Sequence, residues 1–436
     1  MVRFTSGGVR ARCDTGSVLR PYRDILSRPG ALAFSASGLL ARLPMSMAGI
    51  GIVLLVEAVY DSYALAGRVS AVYVLTQALC SPRLARLVDS HGQALVMRPA
   101  IAVASVGLIG LTTAAALHAP TPWLYAAAVV TGATIGSFGA LVRARWNHLV
   151  HSPRELHSAY SLESAADELV FIVGPVLATT LAAGVTPTAA LVVAVAGMLV
   201  GGYWFLGLRT SEPPPNPPAA GAPRARSVLR SGGMIVLAVV FVGMGAVFGA
   251  TDVSTVAFAE EQGRKELAGV VLAVFAAGSM VSGLLYGAKH WVMPLWKRFA
   301  LGMVALGIGA SLFVLVTSMA VLSVVMFVAG FAIAPTIING NGLVQHFVAR
   351  ERLTEGLTIV GTALGVGVSA GASLAGLAID ANGSHGGFLV VVGGAGLMVV
   401  ATAVSLRTLR AGTADLGTTV EDTAPDRADA GLPDQP

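Results

Sequence analysis

The sequence predicts an all-α membrane protein, with about twelve transmembrane helices in two six-helix bundles. Three observations carry that prediction. Only 12% of the 436 residues are charged and 55% are hydrophobic, with a mean hydropathy of +0.75, whereas soluble domains carry about 25% charged residues. Apolar stretches long enough to span a bilayer, roughly 20 residues each, recur along the whole chain. The basic residues gather in alternate loops. Inside lipid each segment must satisfy its own backbone polar groups, so these stretches are helices and not open strands.

Taken in order, the segments are 31–56, 69–88, 99–118, 122–142, 157–183, 187–208, 233–258, 267–288, 299–317, 320–345, 354–380 and 387–406. With both termini cytoplasmic, 24 of the 28 Lys and Arg lie on the inside. Arg68, Arg264 and Lys265 lie outside, and Arg42 falls within segment 1. That asymmetry fixes an orientation. It also accounts for the net charge of +5 without a nucleic-acid partner. Trp123 falls at an outer boundary, and Trp146, Trp204, Trp291 and Trp296 fall near inner ones. Residues 1–30 read as a cytoplasmic arm, lacking the short apolar core and cleavage site of a signal peptide. An N-terminal bundle at 31–208 is followed by a Pro-rich cytoplasmic linker at 209–232, with five prolines in six residues. A C-terminal bundle at 233–407 precedes an acidic tail at 408–436, expected to be disordered. Cys13 and Cys80 imply neither a disulfide framework nor a metal cluster.

"NHLVHSPREL" from Asn147 and "QHFVARERLT" from Gln345 follow segments 4 and 10. At an offset of 198 they align His148 with His346, Val150 with Val348 and Arg154 with Arg352. Two halves in parallel repeat are a transporter architecture. Over roughly residues 20–410 the chain resembles the major facilitator superfamily. After segment 2, "ARLVDSHGQ" keeps the family's Asp and Gly at Asp89 and Gly92, while Ala85, Ser90, Gln93 and Ala94 depart. The resemblance implies that Asp89 braces the halves in one state; an ordinary solvated turn is the plainer alternative. After segment 8, "GLLYGAKHW" keeps Gly283 but has Gly287 where the Asp would be. Gly174-Pro175 in segment 5 is similar to the core of the family's exporter motif, with Val170, Ala178 and Thr179 in place of its flanking glycines. Proline removes a backbone donor and glycine admits a close neighbour, so a simple kink also fits. Exporters often carry an Arg within segment 4. Here the first basic residue of that segment is Arg143, at its inner end, so the family's proton relay is not carried over.

"LESAADELVFIVGP", Leu162–Pro175, places three carboxylates in apolar wall. Counting from His157, Asp167 lies roughly 15 Å deep, Glu168 about 16 Å and Glu163 about 9 Å. Arg42 is roughly 16 Å deep on segment 1. A buried unpaired charge is costly, and a guanidinium does not readily give up its proton. Arg42 is therefore expected to pair with Asp167 or Glu168. The surplus acid is a candidate proton carrier, with Glu163 gating the cytoplasmic approach; a static ion-pair network is the alternative. Asp252 suits a substrate contact or an interface position. Asn339 and Asn341 suit cavity lining or interhelical hydrogen bonding. Glycines four apart, Gly132/Gly136, Gly245/Gly249, Gly283/Gly287 and Gly367/Gly371, suit close helix contacts.

"GVSAG" at Gly367–Gly371 matches the serine-hydrolase elbow, but that motif needs a strand before it, and here it lies within an apolar helix. Neither a phosphate-binding loop of the G-x-x-x-x-G-K type nor H-E-x-x-H is present. The expectation is a non-enzymatic secondary transporter, working by alternating access in the cytoplasmic membrane as a monomer. Its partners are a small-molecule substrate, protons and the bilayer, with no cofactor and no metal. Proton-coupled export of a small amphipathic compound comes first. Transport of a polar metabolite such as a sugar is the alternative, and a transport-inactive sensor or scaffold the reading of another class.

Overall fold

The computed structural model describes residues 15–216, 228–264, 267–289 and 291–414, and among these it is built from α-helices and short turns. A short helix α1 (Thr15–Leu26) precedes the bundles. Segment 1 is α2 (Ala31–Ala41) and α3 (Leu43–Tyr60). Segments 2 and 3 are α4 (Tyr63–His91) and α5 (Gln93–Ala116). Segment 4 is α6 (Thr121–Thr134) and α7 (Phe138–Leu149). Segments 5 and 6 are α8 (Pro153–Gly184) and α9 (Ala189–Gly207). In the second half, segments 7 to 9 are α10 (Gly232–Glu261), α11 (Ala268–Ala288) and α12 (Leu295–Ser311). Segment 10 is α13 (Met319–Gly330) and α14 (Ile333–Phe347). Segments 11 and 12 form one element, α15 (Leu353–Val404), and α16 (Leu406–Ala414) follows.

Ten stretches of the described residues are long and apolar enough to cross a membrane. Two adjustments bring this to twelve spans. The polar residues of α4 lower its hydropathy although it packs on α3, α5 and α6 as a full member of the bundle. α15 holds two spans meeting at Gly383 (φ 69°, ψ −171°). A six-residue connection was expected there; a single residue in a glycine-only conformation reverses the chain instead.

Three spans are interrupted, each for a readable reason. Pro44 has no N–H and its ring collides with the carbonyl of residue 40, so α2 and α3 meet in a break at Arg42 (φ −87°, ψ −11°). Pro335 acts in the same way on the junction between α13 and α14. Between α6 and α7 the break runs through Gly136 at φ 67°. Pro175, by contrast, leaves α8 unbroken.

Each half has its own hydrophobic core. The first joins residues from Tyr22 to Leu206 and takes in Ala334 and Ile338 from the other half; the second runs from Val228 to Leu409 and takes in Ala140. Ala140 and Ile338 stand 198 residues apart, so the repeat seen in the sequence reappears as reciprocal packing at the junction of the bundles. Val150 and Val348, at the same offset, both end their helices in extended backbone.

The start of the tail is more ordered than the sequence suggested, and the end of the arm is docked. α1 packs Tyr22 and Ile25 into the core, and α16 makes the first residues of the tail helical. The linker begins as docked chain: Glu212 accepts from the Ala94 N–H at 2.8 Å, and the Asn216 N–H donates to the Asp89 carbonyl at 3.0 Å. The centre of the Pro-rich linker and the expected disorder after residue 414 lie outside the described residues.

Candidate functional site

The three membrane-embedded carboxylates of α8, Glu163, Asp167 and Glu168, divide into two roles. Arg42, at the break between α2 and α3, is buried and donates to both Glu163 and Asp167, reaching Asp167 Oδ1 at 2.8 Å. Arg143 on α7 donates to Asp167 Oδ2 at 2.7 Å. Two guanidiniums therefore answer two carboxylates. Glu163 also accepts from Ser35 Oγ and Trp146 Nε1, each at 2.7 Å. Donors from three side chains fix its orientation.

These partners correct two expectations. Glu163 was placed nearer the surface as a gate, yet its side chain is 0% exposed. Axial depth measures distance along the helix and not enclosure, and Trp146 and Ser35 close over it. Trp146, expected at a boundary, is fully buried. The second correction is Arg143. The break at Gly136 starts a new helix, α7, in which Arg143 and Trp146, three residues apart, share the face toward α8. The long guanidinium stem then reaches Asp167. Arg145, on another face of α7, serves the scaffold: it donates to Gln93 Oε1 and the Leu208 carbonyl and lies 3.7 Å from the Phe205 ring centre.

Glu168 is the remaining acid. It accepts from Ser279 Oγ at 2.6 Å across the junction between the bundles, and among the described residues it forms no ion pair. Both Asp167 and Glu168 keep partial exposure at this depth. Ser279 was not singled out from the sequence, since a lone serine in an apolar helix gives no signal of its partner.

Toward the face that carries α1 and α16, the terminal face, the bundles are joined directly. Asp89 Oδ2 accepts from the Glu355 N–H at the start of α15, at 2.9 Å. Arg86 donates to Glu355 Oε1 at 2.8 Å, and Arg352 donates to Oε2. Gly92 (φ 95°) turns the chain directly after α4, with Glu212 close against it. On the pseudo-symmetric side, Ser158 donates to the Gly287 carbonyl at 2.8 Å and Tyr22 to the Leu284 carbonyl at 2.5 Å. A Cβ on Gly287 would meet Ser161 at 2.2 Å, which explains why this loop has no room for a counterpart of Asp89.

The other candidates fall apart from the network. Gly174 lets α8 lie against α3, where an added Cβ would sit 1.9 Å from Ser46 Oγ. Pro175 follows it within the same unbroken helix. Asn339 is buried and exchanges hydrogen bonds with the Tyr286 hydroxyl at 2.9 and 3.0 Å. Of its two possible roles, this conformation uses the interhelical one. Asn341 is also buried, whereas Asp252 on α10 is exposed. No group of three or more His, Cys, Asp or Glu among the described residues could hold a metal ion.

Comparison with known proteins gives a consistent fold. Residues 34–299 match the family model described as Major Facilitator Superfamily. The human organic anion transporter MFSD10 (TETRAN) superposes with a TM-score of 0.66 at 14% identity, covering 88% of this chain and 99% of its own. A bacterial homologue of the iron transporter ferroportin, in its outward-facing state, gives 0.69 at 12% identity, covering 87% and 99%. No curated protein matches the sequence significantly.

Proposed function

The chain belongs to the Major Facilitator Superfamily, and on that premise we propose that it is a proton-coupled exporter of a small amphipathic compound, working by alternating access in the cytoplasmic membrane. The observation that carries this reading is Glu168: a carboxylate at mid-depth, tied across the bundle junction to Ser279 and without a cationic partner among the described residues. Rocking of the bundles must break or remake that contact. A group that can be neutral or charged as the contact changes is what proton coupling requires. Asp167, held by two arginines, is the poorer carrier.

In this reading the terminal face is cytoplasmic, as the arginine and lysine asymmetry supports. The contacts at Asp89 and Gly287 then close the inner side, which corresponds to the outward-open state of alternating access. The close approach at Gly174 supports export through the family's motif. Transport of a polar metabolite such as a sugar is the second reading, favoured by the exposed carboxylate of Asp252. The organic anion transporter and the iron-transporter homologue name chemically opposite cargoes, and neither is assigned to this chain.

Proteoliposomes test the proposal, using a probe selected by ligand-induced thermal shift. Glu168→Gln should abolish accumulation driven by a pH gradient and preserve counterflow exchange measured at saturating substrate. Full gradient-driven transport by this variant would place the proton pathway elsewhere.

A further inference from the structure

Glu168 is not the only membrane-embedded acid without a cation. Asp252 on α10 follows Phe248 by four residues and Gly249 by three, so it lies between the faces those two residues define. Phe248 meets Phe275 of α11 with ring centres 6.5 Å apart. Gly249 meets the Val368 carbonyl of α15, 1.9 Å from where a Cβ would stand. Asp252 therefore points into the gap between α11 and α15. These are the helices of the second half that face the first, through Ser279–Glu168 and Glu355–Asp89. It is exposed there, and among the described residues it has neither an ion pair nor a hydrogen bond.

The two acids belong to one wall. Ser279, which holds Glu168, lies four residues from Phe275 toward the terminal face, about 6 Å along the helix. Asp252 lies four residues from Phe248 in the opposite direction, about another 6 Å. Glu168 and Asp252 thus bracket an aromatic pair, with an axial separation of about 12 Å. Arg42 and Arg143 are already committed to Glu163 and Asp167, so among the described residues no cation pairs with either acid of this wall.

We propose that this wall is the recognition site for an organic cation: an amphipathic molecule whose protonated or quaternary nitrogen meets Asp252 or Glu168 while its apolar body lies against Phe248. The proposal rests on the transporter reading above and adds the charge class of the substrate. An anion would meet unpaired carboxylates in a medium of low dielectric, where repulsion is strong. A bare metal ion fits poorly, because carboxylates so far apart cannot share it. An aromatic face between them favours a large, weakly hydrated cation.

Two probes of nearly one shape and opposite charge test it: tetraphenylphosphonium and tetraphenylborate, bound to the full-length protein in nanodiscs, with empty nanodiscs subtracted. The expected result is saturable binding of the phosphonium and much weaker binding of the borate. Asp252→Asn and Glu168→Gln should each weaken phosphonium binding on the order of tenfold without lowering Tm, and Asp252→Glu should restore most of it. Absence of saturable phosphonium binding, equal or tighter borate binding, or wild-type affinity in both neutral variants would overturn the proposal. Selective phosphonium binding without pH-driven flux in proteoliposomes would uphold the site and count against proton coupling.

Discussion

Arg42 is the residue on which most of the buried charge depends. Replacing it with Ala leaves Glu163 facing only Ser35 and Trp146, in a site sealed from water. Breaking a buried pair in this way costs about 3–5 kcal/mol. Arg42→Ala should therefore lower folded yield and Tm sharply in size-exclusion and thermal-unfolding measurements. Adding Glu163→Gln should recover more of the loss than adding Asp167→Asn, because Asp167 keeps Arg143. Equal recovery by the two would contradict this division of partners. Depth counting alone brought Arg42 to Asp167, since both positions follow from helix rise. It could not show Arg143 reaching the same carboxylate, because that depends on where the helix breaks and on a side chain long enough to cross the gap. Nor could it separate Glu168 from Asp167: the two are adjacent in sequence, and only their faces distinguish a partner within the bundle from one across the junction.

At the scale of elements, small residues decide which helices touch. Gly245 and Gly249 of α10 face Gly367 and Gly371 of α15, and an added Cβ at any of the four would fall 1.9–2.2 Å from a backbone carbonyl. Backbone cannot yield as a flexible side chain can. Gly249→Val should cost about 1–3 kcal/mol through overpacking, read as a fall in Tm. Gly365→Ala, where nothing lies within 4 Å, should be neutral or slightly stabilising. A Gly249→Val protein of undiminished Tm would mean that the seam can open without loss. The spacing of these glycines was legible in the sequence, but their pairing was not, because any two such helices could have matched. The breaks in segments 1, 4 and 10 went unread: Pro44 and Pro335 carry the physical cause of theirs, whereas Gly136 suggested only close packing.

For the whole molecule, the two-bundle plan was the most legible feature, since hydropathy and the placement of arginine and lysine both act over long stretches and tolerate local ambiguity. The clasp at the terminal face was legible only as a motif. Asp89 could be named, but Glu355 lies 266 residues away and carries no signature of its own. If this clasp holds one state, Asp89→Ala combined with Arg86→Ala should shift the balance of conformations. Spin labels at Ser90 and Arg350 should then report a longer distance population by pulsed electron–electron double resonance. An unchanged distribution would argue that the α8–α11 contacts suffice alone. The orientation itself is open to impermeant thiol labelling on a functional Cys-free background. Cysteine at Gly263 should react from outside intact cells and cysteine at Asn216 should not; the reverse pattern would invert the topology.

The reversal at Gly383 has a mechanical side. Both oxygens of Glu261 hold the first residue after it, Ser384, at 2.6 Å through the N–H and 2.5 Å through the hydroxyl. The chain has no slack at this point, and the bend is pinned to the end of α10. The arm of α15 that reaches back to the clasp at Glu355 is therefore a stiff rod with its pivot fastened to the rest of its own bundle. A pull applied at Glu355 is not absorbed by a compliant loop at the far end. Should the clasp release, the load passes to the second half as a whole and not into a slack loop.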